Sequence, residues 1–231
     1  MKRNPLLTVK HKLRLVAAIS LATLALIRMP VAGAAEESAQ PGPAKPDLTH
    51  AKQLAETICA ACHGADGNSV APVNPNLAGL GAEYITRQLQ HFKTGIRVNP
   101  VMSAMAATLT PEDMVGLGLF YTQQKPKPGM AKDPALVKTG QALFRGGVAT
   151  TGLPACAACH SPNGAGIPKN YPRLAGQHAD YTHAQLKAFK AGERGADKEG
   201  KDVQGRIMAT IAQKLTDDQM KALAEYTAGL R

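Results

Sequence analysis

Apolar side chains recur with the period of a helix at Ile85, Leu89 and Phe92, spaced i, i+4 and i+7. That stripe predicts an amphipathic helix with one buried face, and Gly95 just beyond it supplies a C-terminal stop. Leu186 and Phe189 repeat the pattern ahead of Gly192. Two further helix starts stand out. "TPED" from Thr110 puts proline at the first helical position and an acid in the first turn. "TDDQ" from Thr216 is a capping box, with Gln219 placed to reach back to the Thr216 backbone. Little of the chain alternates as a strand would.

A different apolar pattern lies near the start. "LVAAISLATLALI", Leu15 to Ile27, is continuous, follows Lys2, Arg3, Lys10, Lys12 and Arg14, and precedes the small residues Ala32-Gly33-Ala34. This predicts a signal peptide over 1–35, cut near Ala34 or Ala35. The run is shorter than the roughly 18 apolar residues of a membrane span. An uncleaved anchor is the alternative.

Polar stretches divide the rest. Prolines and glycine in "QPGPAKP", Gln40 to Pro46, predict a tether over 36–46, and "QQKPKPGMAKDP", Gln123 to Pro134, predicts a stiff, extended linker centred on 125–132. The expected domains are 47–124 and 133–231. They repeat each other. "CAACH" from Cys59 recurs at Cys156, 97 residues on. Pro75, Leu77, Gly79, Leu89 and Phe92 align with Pro172, Leu174, Gly176, Leu186 and Phe189, and 32 residues separate His63 from Gly95 as they separate His160 from Gly192. The second copy carries an insertion, "ERGADKEGKDVQGR", whose polar, glycine-rich character predicts a surface loop with Met208 in the loop region that follows. The fold class expected is all-α: two small tandem domains.

The chain has 231 residues with no tryptophan and 4% aromatics, so side chains alone give each half a small core poor in large rings. The net charge of +10 mostly reports residues 1–35, which hold six Lys/Arg and no acid; 21 basic and 17 acidic residues remain, a net of +4. No basic run interleaves with aromatics, so nucleic-acid binding has no support. Export would place the cysteines where disulfides can persist.

All four cysteines fall in the two Cys-x-x-Cys-His copies. Two thiols followed by a histidine suit covalent haem attachment, each sulfur adding to a vinyl group while the histidine binds iron. That makes Cys59, Cys62, Cys156 and Cys159 attachment points, and His63 and His160 axial ligands, of two haem c groups. Zinc, thioredoxin-like redox pairs and structural disulfides are the competing uses. Zinc would need further ligands in each repeat, a redox pair would need a βαβ setting, and a disulfide would need no histidine. A large apolar macrocycle would also supply the core that the aromatics do not.

For the sixth ligand, Met102 and Met208 each lie seven residues before an aligned leucine, Leu109 and Leu215. Met114 and Met220 also align but sit inside amphipathic helices, where methionine reads as core packing. Met105 has Ile211 as its counterpart. His91, His178 and His183 are unrepeated, which points to surface or local structural roles; His50 precedes the first motif and His11 lies in the leader.

Together, "CAACH", "PNLAGL", "YITRQLQHFKTGIR" and "NPVMSAMAATLTPEDM", with their second copy, resemble the dihaem class I cytochromes c, the cytochrome c4 family. The resemblance covers the chain beyond the leader. It implies thioethers at the four cysteines, proximal ligands His63 and His160, and distal ligands Met102 and Met208. It implies that Pro75 and Pro172 offer their carbonyls to the proximal imidazoles. The long stretch before Met208, and Arg173 where the first copy has Asn76, depart from strict repetition. The function implied is single-electron transfer in the periplasm, without enzymatic activity, between a donor such as a bc1-type complex and an acceptor such as a cbb3-type oxidase. Peripheral membrane association is compatible with it. The alternatives are a cytochrome subunit of a periplasmic dehydrogenase and a dihaem peroxidase-like enzyme. The peroxidase would need one open iron, against which two matched methionines argue.

Overall fold

The structure is a computed structural model and describes residues 46–197 and 199–231. The expected leader, 1–35, with His11, and all but Pro46 of the expected tether lie outside the described residues. The described residues fall within one compact unit, Gly42–Arg231. They are helical; the β pairing among them is limited to isolated bridges between Val148 and Leu153 and between Ile167 and Tyr171.

The first half runs α1 (Leu48–Leu54), a π turn (Ala55–Cys59), α2 (Ala60–His63), α3 (Ala82–Thr94), α4 (Pro100–Ala107) and α5 (Pro111–Thr122). The second runs α6 (Pro134–Gly146), α7 (Ala157–His160), α8 (Ala179–Ala191), α9 (Val203–Ala212) and α10 (Asp217–Gly229). Both halves open on an aspartate cap, Asp47 or Asp133, whose carboxylate accepts two backbone N–H bonds. The predicted stripe on α3 is buried at Ile85, Leu89 and Phe92, and α3 and α8 stop at Gly95 and Gly192, both at φ 75. Both predicted late helices form with reciprocal caps: Thr110 N–H to Asp113 Oδ2 at 2.9 Å, and Thr216 N–H to Gln219 Oε1 at 2.9 Å.

In the first half α5 packs on α1 and α3; in the second α10 packs on α6 and α8. The cores are mostly aliphatic, with few rings, as the composition led one to expect. Leu80, Ile85, Leu89, Met114, Leu117 and Tyr121 fill one; Leu143, Phe144, Met220, Leu223 and Tyr226 fill the other. The extended segment between α5 and α6 is pinned at both ends. Asn68 bonds Lys125 O and Lys127 N–H, while Glu225 accepts from Lys132 N–H at 2.6 Å.

Two expectations are corrected. The insertion is not simply a surface loop, because Arg194 and Asp202 within it are buried. Nor does Met208 lie in a loop: it is in α9, as Met102 is in α4. Asp202 explains both, since its carboxylate accepts from Gly205 N–H at 2.9 Å and starts α9 immediately behind the polar run.

Candidate functional site

Each Cys-x-x-Cys-His motif is a tight helical turn. His160 N–H bonds Cys156 O at 2.9 Å, and Gly64 N–H bonds Ala60 O at 2.9 Å. The helix is then broken by a residue at positive φ, Gly64 at 74° and Ser161 at 68°. Gly64 tolerates no Cβ, which would sit 2.5 Å from Asn68 O. Ser161 holds the same conformation with its hydroxyl donating to Gly166 O at 2.8 Å. The break turns the following chain back over the histidine and brings its proline alongside.

His63 and His160 are buried. Each Nδ1 lies 2.9 Å from a proline carbonyl, Pro75 O or Pro172 O. The carbonyl can only accept, so Nδ1 carries the proton and Nε2 keeps its lone pair for a ligand bond. Burial pushes both imidazoles below their ordinary pKa, against the opposing pull of the carbonyl bond. Both are therefore neutral donors. None of the four cysteines is paired in a disulfide. Burial pushes the Cys59 thiol up and raises Cys156 to about 11.

In the second half these groups converge. Cys156, Cys159, His160, Pro172 and Met208 line one cavity, floored by Leu174, Leu186 and Phe189. In the first half Cys59 and Met102 pack against the same core as Leu80 and Leu89. The cavity of the second half reaches the first at Pro75, Leu80 and Tyr84. Met114 and Met220 are buried in the cores, as expected. The other histidines are engaged elsewhere: His178 with Ser69 O at 2.9 Å, His183 with Asp217 at 2.8 Å and His50 with Asp113 at 3.2 Å. His91 is buried rather than on the surface. Among the described residues no cluster of three or more His, Cys, Asp and Glu could hold a metal, and no strand supports a thioredoxin-like setting.

Where the halves meet, a polar network crosses over. Arg97 donates to Gln88 (2.7 Å) of its own half and to Tyr181 (3.1 Å) and Gln185 (2.8 Å) of the other. Arg194 does the reverse, donating to Gln185 (2.7 Å), Tyr84 (3.0 Å) and Gln88 (3.1 Å). Each guanidinium lies over its own phenylalanine, Phe92 at 4.6 Å and Phe189 at 4.4 Å. Sequence reasoning missed these residues. The signal was present, since Tyr84/Tyr181, Gln88/Gln185 and Arg97/Arg194 are all 97 apart.

This lining tests whether haem fits. Arg97 and Arg194 are buried, and the Arg87 Nε is buried without a hydrogen-bond partner, while Asp202 is the buried carboxylate that acts on Arg194. Burial pushes the Tyr181 hydroxyl up, but Arg97 and Arg194 pull it down and prevail. Buried cations call for anions. A flat apolar body edged with carboxylates suits both the apolar walls and the buried guanidiniums.

The Cytochrome c family model matches the chain twice, over residues 48–120 and 137–230. Cytochrome c4 of Pseudomonas aeruginosa is 43% identical over 181 residues, covering 78% of this chain and 87% of that protein. A thiosulfate dehydrogenase electron acceptor of Thiomonas intermedia is 40% identical, covering 74% and 77%. The crystal structure of reduced recombinant cytochrome c4 from Pseudomonas stutzeri superposes with a TM-score of 0.73 at 38% identity, covering 81% of this chain and all of that one.

Proposed function

This chain belongs to the cytochrome c family, in its cytochrome c4 branch, and from that premise we propose that it carries electrons in the periplasm between a respiratory donor and a terminal oxidase. It is a dihaem electron carrier, with two tandem cytochrome c domains and two covalently attached haem c groups. The domains are assigned to 47–124 and 133–231, joined by 125–132, behind an export leader over 1–35. The donor is assigned as a bc1-type complex and the acceptor as a cbb3-type oxidase. Among the described residues no helix is long and apolar enough to cross a membrane.

One observation carries the reading: the halves repeat one arrangement, a buried neutral imidazole fixed by a proline carbonyl, with one cysteine a turn before it and another directly preceding it. When bound, haem supplies a one-electron couple whose potential depends on its axial ligands. Cys59, Cys62, Cys156 and Cys159 hold the macrocycles covalently. His63 and His160 present Nε2, and Pro75 and Pro172 fix the ring orientation. Met102 and Met208, each on a helix, would supply a sulfur ligand to each iron and so keep water and peroxide from it. Arg97 and Arg194 bind the halves to each other, so that their separation stays fixed through a redox cycle.

A second reading is an electron acceptor dedicated to a periplasmic dehydrogenase, and the similarity to a thiosulfate dehydrogenase electron acceptor favours it. Stopped-flow mixing separates the two. The reduced protein is mixed with membranes bearing a cbb3-type oxidase, and the oxidised protein with a thiosulfate dehydrogenase plus thiosulfate. Reoxidation by the membranes at the rate of oxidase turnover supports the respiratory role. No reoxidation there, with rapid reduction by the dehydrogenase, replaces it with the second reading.

A further inference from the structure

Lys93 and Lys190 occupy equivalent places, 97 residues apart, near the ends of α3 and α8. Neither belongs to the motifs that hold haem. The Lys93 ammonium donates to Leu109 O, and the Lys190 ammonium to Leu215 O; both contacts are partly buried. The sequence separations are 16 and 25 residues. The nine-residue difference is the insertion ahead of α9. Extra chain lies between the lysine and its partner in the second half, yet the lysine meets the same carbonyl. A contact that only reflected local chain geometry would have been moved by that insertion.

The carbonyl is in a telling position. Leu109 and Leu215 are buried, at 8% and 2% exposure. Each N–H bonds back to an alanine of the preceding helix, Ala106 or Ala212. The next residue is the cap of the last helix, Thr110 or Thr216. Each leucine is thus the corner where the chain leaves α4 or α9, the helices that carry Met102 and Met208. A carbonyl buried at a corner needs a donor. The ammonium supplies a charge-assisted bond while its stem lies along apolar surface. It is also a cation near the C-terminal end of a helix, where the dipole favours it.

We propose that Lys93 and Lys190 are positioning residues for the distal ligands: each anchors the corner behind its methionine helix and holds Met102 or Met208 in place against displacement. The proposal rests on Met102 and Met208 being those ligands. The anchoring bond runs from α3 or α8, which form one wall of each half, to the corner after α4 or α9. Without it the corner behind α9 keeps the bonds of Lys214 to Thr151 O and Gly152 O, and α9 keeps its bond from Gln204 to Asn170, but the carbonyl at the corner itself loses its charged donor. The sulfur then competes less well with an external ligand.

The test uses haem-loaded full-length protein with Lys190→Met, Lys190→Arg and Lys93→Met. The far-red methionine–iron band is recorded, and the ferric protein is titrated with imidazole. K190M is expected to weaken about half of the far-red band and to bind one imidazole about tenfold more tightly than wild type. K93M does the same for the other half, and K190R restores wild-type behaviour. Imidazole binding unchanged in K190M and K93M, whether or not melting temperature falls, overturns the proposal, because a tether serving only the fold changes melting without favouring the external ligand. If K190M yields no loaded protein, Lys190→Gln, which keeps a donor without the charge, is titrated instead and read by the same criterion. Wild-type protein with two haems and no far-red band would reject the methionine ligands themselves. A wild-type band with unaltered variants would reject the lysines alone.

Discussion

His91 shows how one residue can leave a repeat and acquire its own chemistry. Its counterpart is Ala188. It is buried on α3, and its Nδ1 has no hydrogen-bond partner, lying 3.8 Å from Asp202 Oδ2 at the start of α9. Asp202 faces it from the second half, Arg194 from the segment after α8, Arg87 from α3 itself and Arg97 from the turn beyond. Burial pushes the imidazole below its ordinary value; Asp202 opposes that, and the three guanidiniums reinforce it. The sign follows. The unfolded chain takes up the proton near pH 6.5, before the folded one does, so folded stability falls as pH drops below about 6.5. His91→Gln removes that contribution. Its melting temperature is expected to fall less steeply than that of wild type between pH 7 and pH 5. Parallel curves would show that His91 takes no part.

At this scale the residues proposed to carry haem were legible as a motif and their neighbours were not. Cys59, Cys62 and His63 stand out because covalent attachment would fix residue type and spacing together. The Pro75 carbonyl is a backbone group, which any residue could supply, so only the resemblance pointed to it. His91 carried no periodic or repeated signal, because its partner Asp202 sits in a segment that the first half lacks.

Among the helices, backbones approach closely enough to require glycine. A Cβ on Gly140 of α6 would sit 2.0 Å from Ala222 O of α10, and one on Gly118 of α5 would sit 2.5 Å from Ala82 O. Both clashes are with backbone, which cannot rotate away. Gly140→Ala is therefore expected to cost about 3 kcal/mol in denaturant unfolding by overpacking. Gly146→Ala, at the end of the same helix with nothing within 4 Å, should stay within about 1 kcal/mol of wild type. Equal stability of the two variants would contradict the close α6–α10 crossing.

Helix existence was read correctly for α3, α5 and α10, while α6, with its own Asp133 cap and buried Leu143 and Phe144, went unread. The start of α9 was not. "DKEGKDVQG" has the composition of a loop, and its helical part is set by Asp202, a cap followed by Gly205 rather than by an apolar stripe. Met208 consequently moved from loop to helix. The shift bears on the proposed ligand role, because a residue on a helix is held by packing along its length.

For the whole molecule, repetition revealed two domains but not how they meet. Arg97 and Arg194 recur in register, and so do their partners, yet recurrence is equally consistent with each arginine serving its own half. The structure shows a partial exchange, with each arginine bonded to both halves, and it adds Asn76 Nδ2 to Gly176 O at 3.0 Å and Gln177 Nε2 to Asn76 O at 2.9 Å. Asn76 and Arg173, unlike at one aligned position, differ in role: Asn76 bridges the halves, while Arg173 bonds locally to Ala175 O. Such crossing polar bonds carry little hydrophobic pattern, which is why sequence periodicity did not find them. They make the two haem sites parts of one body rather than beads on a linker.

The measurement that bears most directly on two closed electron-transfer sites is an absorption spectrum through the visible and far red, oxidised and then reduced, with covalent haem counted per chain. Two haems, a far-red methionine–iron band at full strength for two sites, and loss of half of it in Met208→Ala are the expected result. Two haems with only half that band in the wild type, or a high-spin signal, would contradict it by leaving one iron open, and would turn the molecule from a carrier into a candidate peroxidase.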